Sequence, residues 1–576
     1  MGNTVNRCIR TLTLGWLAGM GLMAHPAIAR ADDLATLDRD FWSWRAREQP
    51  FTEDDIPRLE RPADLDVDWS AGAIAAYRTA VSGFEARWNA LAPSAGAPRS
   101  IEVDYRLVGS AIARARFELD LRRSFERHPG FYIDQALGSV YEVLLPPGPL
   151  DDTRQAVVLR RLQRVPAILA DARPVLTDLR APFLSLALGT LADIDSRLER
   201  LERTLVPQFD ATRRTALADA VRAASSALVD YRTWLATRTT DARQDTAIGA
   251  DAYAYFLRNV ALLPIDSEGM LALARAEWSR AVAFESLEEN RQRHLPQATI
   301  FPDAPAQIAA EKIDEIAVRR FLEEERLLSV PADLAHYTNR LLPDYLEPLS
   351  FLGVSDDLTG PSRLREDATS YIRVPRSDLP YFYLSTARDP RPIIVHEGIP
   401  GHYLQLAMGW RHPDPVRRRY YDSSANEGIG FYAEEMLLQA GLFDDRPRTR
   451  STLYSFMRLR ALRVEVDVRL ARGEFTLEQA ADYLQRTVPM DRATALEEAA
   501  SFAAEPGQGI SYQVGKTQIL ELLADSRRRE GTGFSLRAFH DRLWRDGNVP
   551  FALLRYEWWG DPADLPTRLP LPEVTR

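Results

Sequence analysis

Two histidines and a glutamate lie close together in the segment 393–405, and these residue types can bind and use a metal ion. His396 and Glu397 are adjacent, and His402 follows six positions after His396. A catalytic zinc site needs three protein ligands and one open position, and zinc hydrolases often carry both histidines on one helix, four residues apart. Six positions on a continuous helix place the two rings about 120° apart, so they would not bind one ion.

Pro400 and Gly401 stand between the two histidines and change this expectation. Proline has no N–H to donate to the carbonyl of His396, and its ring clashes with the preceding helical turn. Glycine adds backbone freedom at the next position. We therefore expect the helix to break or bulge here, which would return His402 to the face of His396.

The third ligand should come from another helix, and Glu427 is the candidate. It lies 25 positions after His402, which leaves room for the rest of one helix, a connection and the start of a second. Glu434 follows on the same helical face, where its carboxylate can orient a ligand histidine, and Gln405 is a candidate for a similar role. The alternative for Glu427 is a solvated acid in a first helical turn.

These residues predict the hydrolytic chemistry of one zinc ion. Three protein ligands would leave a bound water, whose pKa falls toward roughly 7 on the metal. Glu397, which is not itself a ligand, would take the proton of that water and pass it to the leaving amine. Tyr512 is a candidate donor to the oxyanion, with a core tyrosine as the alternative. His540 is a second candidate donor, with a structural histidine as the alternative.

The composition of the 576-residue chain is that of an ordinary globular protein, with 45% hydrophobic and 27% charged residues. The formal net charge of -10 argues against a nucleic-acid-binding protein, which needs a basic surface. Cys8 is the only cysteine and lies in the N-terminal segment. A mature chain without it has neither a disulfide nor a thiol ligand, so any metal must be held by His, Asp or Glu.

Residues 1–31 have the pattern of a secretory signal peptide, with a positively charged start and a short apolar run over 12–24. Small residues place the cleavage site after Ala29 or Ala31. The apolar run is too short to span a bilayer comfortably. We predict a periplasmic or secreted protein with no stable membrane insertion after cleavage, and an uncleaved anchor is the alternative.

Apolar residues recur at steps of three and four through most of the remaining chain, as in the stripe from Ile74 to Leu91. This periodicity predicts a mostly α-helical protein. We divide it into an N-terminal helical lobe, 32–260, and a C-terminal helical catalytic lobe, 261–576, which carries the zinc site.

Two short runs rich in β-branched and aromatic residues, 371–374 and 381–384, stand just before the metal-site segment. They predict a small β hairpin or an edge strand. An edge strand at this place could take up a substrate backbone by strand addition. A purely structural hairpin is the alternative.

From about residue 370 to 555 the chain resembles the bacterial family described as domain of unknown function 885. Members carry an H-E-x-x-P-G-H-x-x-Q motif, an E-G-W-type helix, a P-G-Q-A-x-S-Y-x-x-G block and an F-H-D segment. The corresponding segments of this chain are His396–Gln405, Glu427–Ile429, Pro506–Gly515 and Phe539–Asp541. Ile429 replaces the tryptophan of the second motif.

The resemblance implies a mostly helical, gluzincin-like zinc peptidase, similar to the thimet oligopeptidase and angiotensin-converting-enzyme folds. In those folds two helical lobes flank a deep channel, which would admit short peptides and exclude folded proteins. One departure is that the family usually has Asp-Thr-Gly-x-His in a later helix, whereas Asp467 here is followed by Val-Arg-Leu-Ala. Substrate contacts are therefore not carried over from the family.

The leading hypothesis is a zinc metallopeptidase acting on short peptides. A zinc hydrolase of a non-peptide amide or ester would have the same site chemistry, and a non-catalytic helical binding protein with a vestigial site is the third possibility. The oligomeric state is left open. An exopeptidase would need a group that holds a terminal charge, and the many arginines do not single one out.

Overall fold

The computed structural model describes residues 26–52 and 59–573, with side chains from residue 32 onward. The predicted signal peptide, 1–31, lies mostly outside the described residues, as does Cys8. The first described helix begins at Pro26 and includes both predicted cleavage sites. Within the described ranges, no helix is both long and apolar enough to pass through a bilayer.

The described chain is mostly helical, as the periodicity of its apolar residues predicts. The first thirteen α-helices are α1 Pro26–Glu48, α2 Ala71–Ala90, α3 Arg99–Arg116, α4 Ser124–Arg127, α5 Gly130–Ile133, α6 Ser139–Leu144, α7 Asp152–Val175, α8 Ala181–Thr190, α9 Ile194–Leu205, α10 Arg214–Ala236, α11 Ala250–Tyr255, α12 Ser267–Gln292 and α13 Ala304–Glu324. The remaining α-helices are α14 Tyr381–Thr386, α15 Arg391–Ile393, α16 His402–Trp410, α17 Pro415–Arg419, α18 Ser423–Ala440, α19 Pro447–Arg472, α20 Leu477–Thr487, α21 Arg492–Ala504, α22 Gln508–Glu530, α23 Leu536–Arg545 and α24 Phe551–Trp559.

Shorter helical segments of other types connect several of these helices. The π-helical segments are Phe117–Arg122, Asp134–Gly138, Phe256–Val260 and Ile394–Gly398. The 3-10 segments are Val206–Gln208, Glu347–Leu352 and Gly531–Gly533. A π-helical segment has one extra residue in its turn and is often found at functional sites, and the last of the four contains His396.

A small sheet lies just before the metal-site segment. It consists of β1 Tyr337–Leu341, β2 Asp356–Asp357 and β3 Ala368–Ile372, in the order β1-β3-β2. β3 pairs with β1 in parallel and with β2 antiparallel. The predicted strand near residue 371 is therefore present, but it is the central strand. Both of its edges are already paired, so β3 cannot take up a substrate backbone.

The second half of the predicted hairpin is wrong, because residues 381–384 belong to helix α14. The aromatic rings of Tyr381 and Phe382 pack against Phe456 of α19. Asp491 accepts a hydrogen bond from the backbone N–H of Tyr381 at the start of the helix. Four apolar residues fit a strand or a buried helical turn equally well, and tertiary packing on α19 decides for the helix.

The largest hydrophobic cluster contains residues from both ends of the described chain, from Leu34 in α1 to Trp558 in α24. It therefore crosses the predicted lobe boundary at 260/261, which stays a prediction. The most extensive helix contacts are those of α12 with α19 and of α18 with α22. Of these helices, α18 also contacts the π-helical segment that contains His396 and the helix α16 that begins at His402.

Candidate metal centre

The helix that carries His396 ends two residues later, as the proline predicts. Its last turn is the π-helical segment Ile394–Gly398, and Ile399 has extended backbone angles, φ −126° and ψ 124°. A new helix, α16, begins at His402. The indole N–H of Trp544 donates to the carbonyl of Pro400 at 2.7 Å and fixes the break. The two histidines thus lie on separate helices that meet at a corner.

Two glycines make room for this corner. A Cβ on Gly401 would lie 1.7 Å from the carbonyl oxygen of His396, so no larger residue fits there. A Cβ on Gly430, in α18, would lie 2.9–3.0 Å from atoms of both imidazole rings. Gly430 was not among the residues predicted from the sequence, although its position three residues after Glu427 in the E-G-I-G segment is a usable signal.

The ligand atoms of His396, His402 and Glu427 converge on one point. Glu427 Oε2 is 3.4 Å from His396 Nε2 and 3.3 Å from His402 Nε2. The two rings are nearly perpendicular, with centroids 4.7 Å apart. Ligand atoms of a tetrahedral zinc ion, with bonds of about 2.0–2.1 Å, are separated by about 3.3 Å. Both separations from Glu427 Oε2 therefore match those between two ligands of one such ion.

Glu427 reaches this point because α18 is held at its start. The Asp422 side chain accepts the N–H of Ala425 as an N-cap, which places Glu427 in the second turn. Its Oε2 is buried, and the two imidazole nitrogens that lie 3.3 and 3.4 Å away are poorly aligned as hydrogen-bond donors. A buried carboxylate oxygen without a well-aligned donor is costly, and a cation between the two rings would satisfy it.

Glu397 lies beside this triangle. Its Oε2 is 3.9 Å from His402 Nε2, and ligand atoms of His396, Glu397 and His402 all lie within 4.8 Å of one another. Glu397 Oε2 is also buried without a hydrogen-bond partner in the described part of the chain. Glu427 is nearer to His402, and it alone has a short contact to both rings. Glu427 is therefore the better candidate for a third ligand, and Glu397 remains the candidate general base beside it.

The charges of the metal-free cluster are strongly coupled. Burial disfavours the charged form of His396, but hydrogen bonds to Glu427 and Glu434 outweigh this effect and raise its pKa to about 9. Burial also disfavours the carboxylate of Glu427, but the charge of His402 and hydrogen bonds to both histidines hold its pKa well below its usual range. The cluster therefore has the electrostatic character of a site that accepts a cation in place of protons.

Glu434 orients His396, as the sequence predicts. Its Oε1 lies 2.7 Å from His396 Nδ1, which leaves Nε2 facing Glu427. Arg460 holds both carboxylate oxygens of Glu434, at 2.7 and 3.0 Å. Arg460 was not predicted from the sequence, since α19 contains several arginines and nothing in its sequence distinguishes this one.

Gln405 is placed differently from its prediction, because it contacts neither imidazole. Its Oε1 accepts from Asn426 Nδ2 at 2.6 Å, and its Nε2 donates to Asn548 Oδ1 at 3.1 Å and to the carbonyl of Ala425. These contacts tie α16 to α18 immediately beside Glu427. His402 Nδ1 has no hydrogen-bond partner within the described ranges, so only one of the two histidines is held by a carboxylate.

Tyr512 lies at the site, on α22. Its ring is 6.3 Å from the ring of His396 and nearly parallel to it. The guanidinium of Arg463, itself paired with Glu498, lies 4.6 Å from the Tyr512 ring centroid. The structure thus brings the predicted oxyanion donor to the metal cluster.

The start of α22 is held by Asp467. The carboxylate of Asp467 accepts the backbone N–H groups of Gly507 and Gly509 and the hydroxyl of Tyr253. Asp467 is fully buried. The acid that begins the family's Asp-Thr-Gly-x-His segment is therefore kept here for positioning the loop before Tyr512.

α22 approaches α18 through two facing glycines. A Cβ on Gly428 would lie 2.6 Å from the Cα of Gly515. A Cβ on Gly515 would lie 2.0 Å from the carbonyl oxygen of Ser424. Both glycines are motif positions, and their role is to let the two helix backbones touch, which brings Glu427 and Tyr512 to one site.

His540 is not brought to the metal cluster. Its Nδ1 lies 2.7 Å from the carbonyl of Leu327, and its Nε2 lies 2.8 Å from the hydroxyl of Tyr432. Burial lowers its pKa to about 4. Both ring nitrogens are engaged elsewhere, which favours the structural alternative over the predicted catalytic role.

A cavity of about 390 Å³ lies next to the cluster. Gln508 lines it and donates to Glu427 Oε1 at 3.4 Å. Asn548, the partner of Gln405, also lines it. The cavity is therefore one residue away from the proposed metal ligands.

Comparison with known proteins identifies related folds but does not identify the chemistry. No curated protein matches the chain. A solved structure from Shewanella oneidensis, provisionally described as a lipoprotein of unknown function, is 18% identical with a TM-score of 0.63. A second, from Colwellia psychrerythraea and also provisionally described as a lipoprotein, is 14% identical with a TM-score of 0.70. Each similarity covers 92% of this chain and 98% of the other, and at this identity it shows the fold alone.

The family itself is shown by a match that covers most of the chain. Residues 60–557 match the family described as bacterial protein of unknown function, DUF885. The match includes all four motifs, from His396 to Asp541. The chain therefore belongs to the DUF885 family.

Proposed function

We propose that this protein is a zinc-dependent metallopeptidase that hydrolyses short peptides, with one zinc ion held by His396, His402 and Glu427. The observation that carries the proposal is the triangle of ligand atoms around Glu427 Oε2, with sides of 3.3 and 3.4 Å to the two histidines. Two imidazoles and one carboxylate form a donor set typical of catalytic zinc in peptidases.

When bound, zinc supplies a Lewis acid at this point and increases the acidity of a coordinated water. Glu397 accepts a proton from the attacking water and delivers it to the leaving amine nitrogen. Its carboxylate suits this role because Oε2 is buried, lies beside the cluster and has no competing hydrogen bond within the described residues. Tyr512 is the proposed donor to the oxyanion, and Glu434 keeps His396 in the required orientation.

Short peptides are the proposed substrates because a cavity of limited volume, about 390 Å³, lies beside the site and shares Gln508 with it. The resemblance to helical peptidases with a deep channel supports the same substrate class. We place the protein in the periplasm or outside the cell. The signal-like pattern of residues 1–31 supports this location, and so do the structural relatives, which are provisionally described as lipoproteins.

Metal analysis of protein purified without chelators tests the metal. We expect one zinc per chain, and loss of zinc in His396→Ala and in His402→Ala. His294→Ala is the matched control, since His294 is exposed and remote in sequence from the motifs. A parent protein without stoichiometric zinc after incubation with zinc ions would rule out the proposal.

Mass-spectrometric digestion of a peptide library tests the reaction. The parent protein should cleave peptides of many sequences, and Glu397→Gln should bind zinc as the parent does but cleave none. Cleavage of simple amides or esters with no cleavage of any peptide would instead identify a non-peptide hydrolase.

A further inference from the structure

Among the described residues that line the cavity beside the candidate cluster, positively charged side chains outnumber negatively charged ones. Six arginines and three glutamates are among its lining residues. The arginines are Arg45, Arg114, Arg122, Arg417, Arg418 and Arg419. The whole chain carries a net charge of -10. The described lining of the cavity is therefore opposite in sign to the net charge of the protein.

Most of these arginines are already neutralised by partners in the described structure. The pairs are Arg45 with Glu118, Arg122 with Glu505, Arg417 with Asp104 and Glu557, and Arg419 with Asp38. Arg114 and Arg418 have no carboxylate within ion-pair distance among the described residues. Arg418 is exposed, whereas Arg114 is partly buried and extends from α3.

Arg114 is linked to the metal cluster by a short series of contacts. Its guanidinium lies 5.8 Å from the ring centroid of Phe256. The Phe256 ring packs so closely on Gly507 that a Cβ there would lie 2.0 Å from it. Gln508 follows directly and donates to Glu427. Arg114 and Gln508 at the start of α22 therefore lie near each other and line the same cavity.

Arg122 lies near Glu118 and near two other arginines of the cavity wall, Arg114 and Arg45. Burial, and then the nearby charges of Arg114 and Arg45, lower the pKa of Arg122 to about 10, although Glu118 acts in the opposite direction. Like charges held together in a partly desolvated cavity attract an anion. A guanidinium is a planar pair of donors that matches a carboxylate with two parallel hydrogen bonds.

We infer that the cavity binds a carboxylate of the substrate and that Arg114 is its anchor. The inference rests on the proposed peptidase function, because Gln508 lines the cavity and donates to the proposed ligand Glu427. The carboxylate has two possible sources, the free C-terminus of a peptide or the side chain of an aspartate or glutamate. The first source would make the protein a carboxypeptidase-type enzyme, and the second would give it a preference for acidic residues.

Calorimetric titration with two matched pairs of peptides tests this. The first pair is acetyl-Ala-Ala-Ala and its C-terminal amide, and the second is acetyl-Ala-Asp-Ala amide and acetyl-Ala-Asn-Ala amide. Titrations use the full chain as Glu397→Gln, which prevents turnover. We expect the charged member of one pair to bind about tenfold or more tightly than its neutral partner, as a charge-assisted hydrogen bond predicts. The pair that shows the preference identifies the source.

Substitutions of Arg114 then test whether this residue causes the preference for carboxylate-bearing peptides. In Arg114→Gln it should disappear, and Arg114→Lys should keep only part of it. Arg106→Gln is the matched control, because Arg106 lies two turns earlier on α3 and does not line the cavity. No preference in either pair, or a preference that persists in Arg114→Gln, would overturn the inference. The peptide comparison alone decides whether a carboxylate is preferred, even if an Arg114 variant does not fold.

The failure of this inference and that of the proposed function can be told apart. Calorimetry measures the carboxylate preference without zinc and without hydrolysis. If the protein cleaves peptides but shows no carboxylate preference, the proposed function stands and the role of Arg114 as an anchor is contradicted. If the protein prefers carboxylates but neither binds zinc nor cleaves peptides, Arg114 remains a carboxylate-binding residue and the peptidase function is contradicted.

Discussion

At the scale of single residues, the candidate centre depends on groups that touch the proposed ligands as much as on the ligands themselves. Glu434 is 1% exposed and lies between His396 and Arg460. A carboxylate in this position fixes the tautomer of the imidazole and increases its basicity as a ligand. Arg460 pairs with both oxygens of this buried carboxylate.

Glu434→Gln should therefore weaken zinc binding by about 10- to 100-fold while the fold is kept. Chelator competition measures the affinity. The control is Glu435→Gln, because the adjacent Glu435 faces away from the cluster and pairs with Arg280 and Lys516. Loss of that buried pair should lower the melting temperature but leave zinc affinity unchanged. Equal zinc affinities in the two variants would contradict the role of Glu434.

His540 shows how a motif histidine can be structural. His540→Leu should lower the free energy of unfolding by about 1–3 kcal/mol, since it leaves the hydroxyl of Tyr432 and the carbonyl of Leu327 without a buried partner. Zinc content should not change. Urea unfolding and metal analysis measure the two effects. A variant with normal stability but no hydrolysis would restore the catalytic role.

The same histidine contributes to the pH dependence of stability. Its pKa in the folded chain, about 4, lies below the value of about 6.5 for an unfolded histidine. The stabilisation from keeping His540 neutral is therefore full above pH 6.5 and is lost as the pH falls toward 4. The stability difference between the parent and His540→Leu should shrink over that range.

At the scale of helices, the contact between α18 and α22 brings Glu427 and Tyr512 together. Gly428→Ala would place a methyl group 2.6 Å from the Cα of Gly515, so the helices must separate. We expect a loss of about 1–3 kcal/mol of stability, as for other overpacked sites, together with weaker zinc binding. Gly83→Ala is the control, because a Cβ there meets nothing within 4 Å. This exposed helical alanine should stabilise α2 by about 0.5–1 kcal/mol.

Thermal unfolding and chelator competition on both glycine variants measure these effects. An alanine at 428 without effect on either quantity would show that the helices can move apart freely. In that case close helix packing would not account for the glycine of the E-G motif.

Helices were predicted well where the pattern was long and the physical cause was local. The stripe that begins at Ile74 lies in α2, where Ile74 and Val81 are buried, and it needs only a period of 3.6 residues. The break at Pro400 also has a local cause, the missing N–H. The short run 381–384 failed because its conformation depends on Phe456, which is distant in sequence.

The residues of the candidate centre also fall into those that the sequence could predict and those that only the structure shows. His396, His402 and Glu427 could be identified as candidate ligands from the sequence, because two histidines and an acid at this spacing are typical of a metal site. Arg460 and Arg114 could not, since the chain contains many arginines and only the tertiary structure shows which one lies beside Glu434 or lines the cavity. Gln405 was assigned to the correct neighbourhood, but its partner is Asn426 and not a histidine.

At the scale of the whole molecule, several buried acids make stability depend on pH. Glu311, on α13, is 2% exposed, and burial raises its pKa to about 8, although a hydrogen bond from Gln307 opposes the shift. A folded pKa above the unfolded value means that this group favours the folded state below about pH 4.5. That contribution is lost as the pH rises through 8.

Glu311→Gln should therefore be more stable than the parent at pH 9, by on the order of 3 kcal/mol. The two proteins should differ little at pH 5. Urea unfolding at pH 5, 7 and 9 measures the difference. A difference that does not change with pH would mean that burial does not raise the pKa of Glu311 in the folded chain.

The corner between the π-helical segment and α16 has a consequence for how the centre assembles. Two histidines four residues apart on one helix can grip a metal as soon as that helix forms, even in a short peptide. Here His396 and His402 converge only because Trp544 and Gly430, from distant parts of the chain, hold and clear the corner. Metal binding by the proposed centre would therefore require completed tertiary folding, and we expect an excised peptide spanning both histidines to lack the parent's affinity.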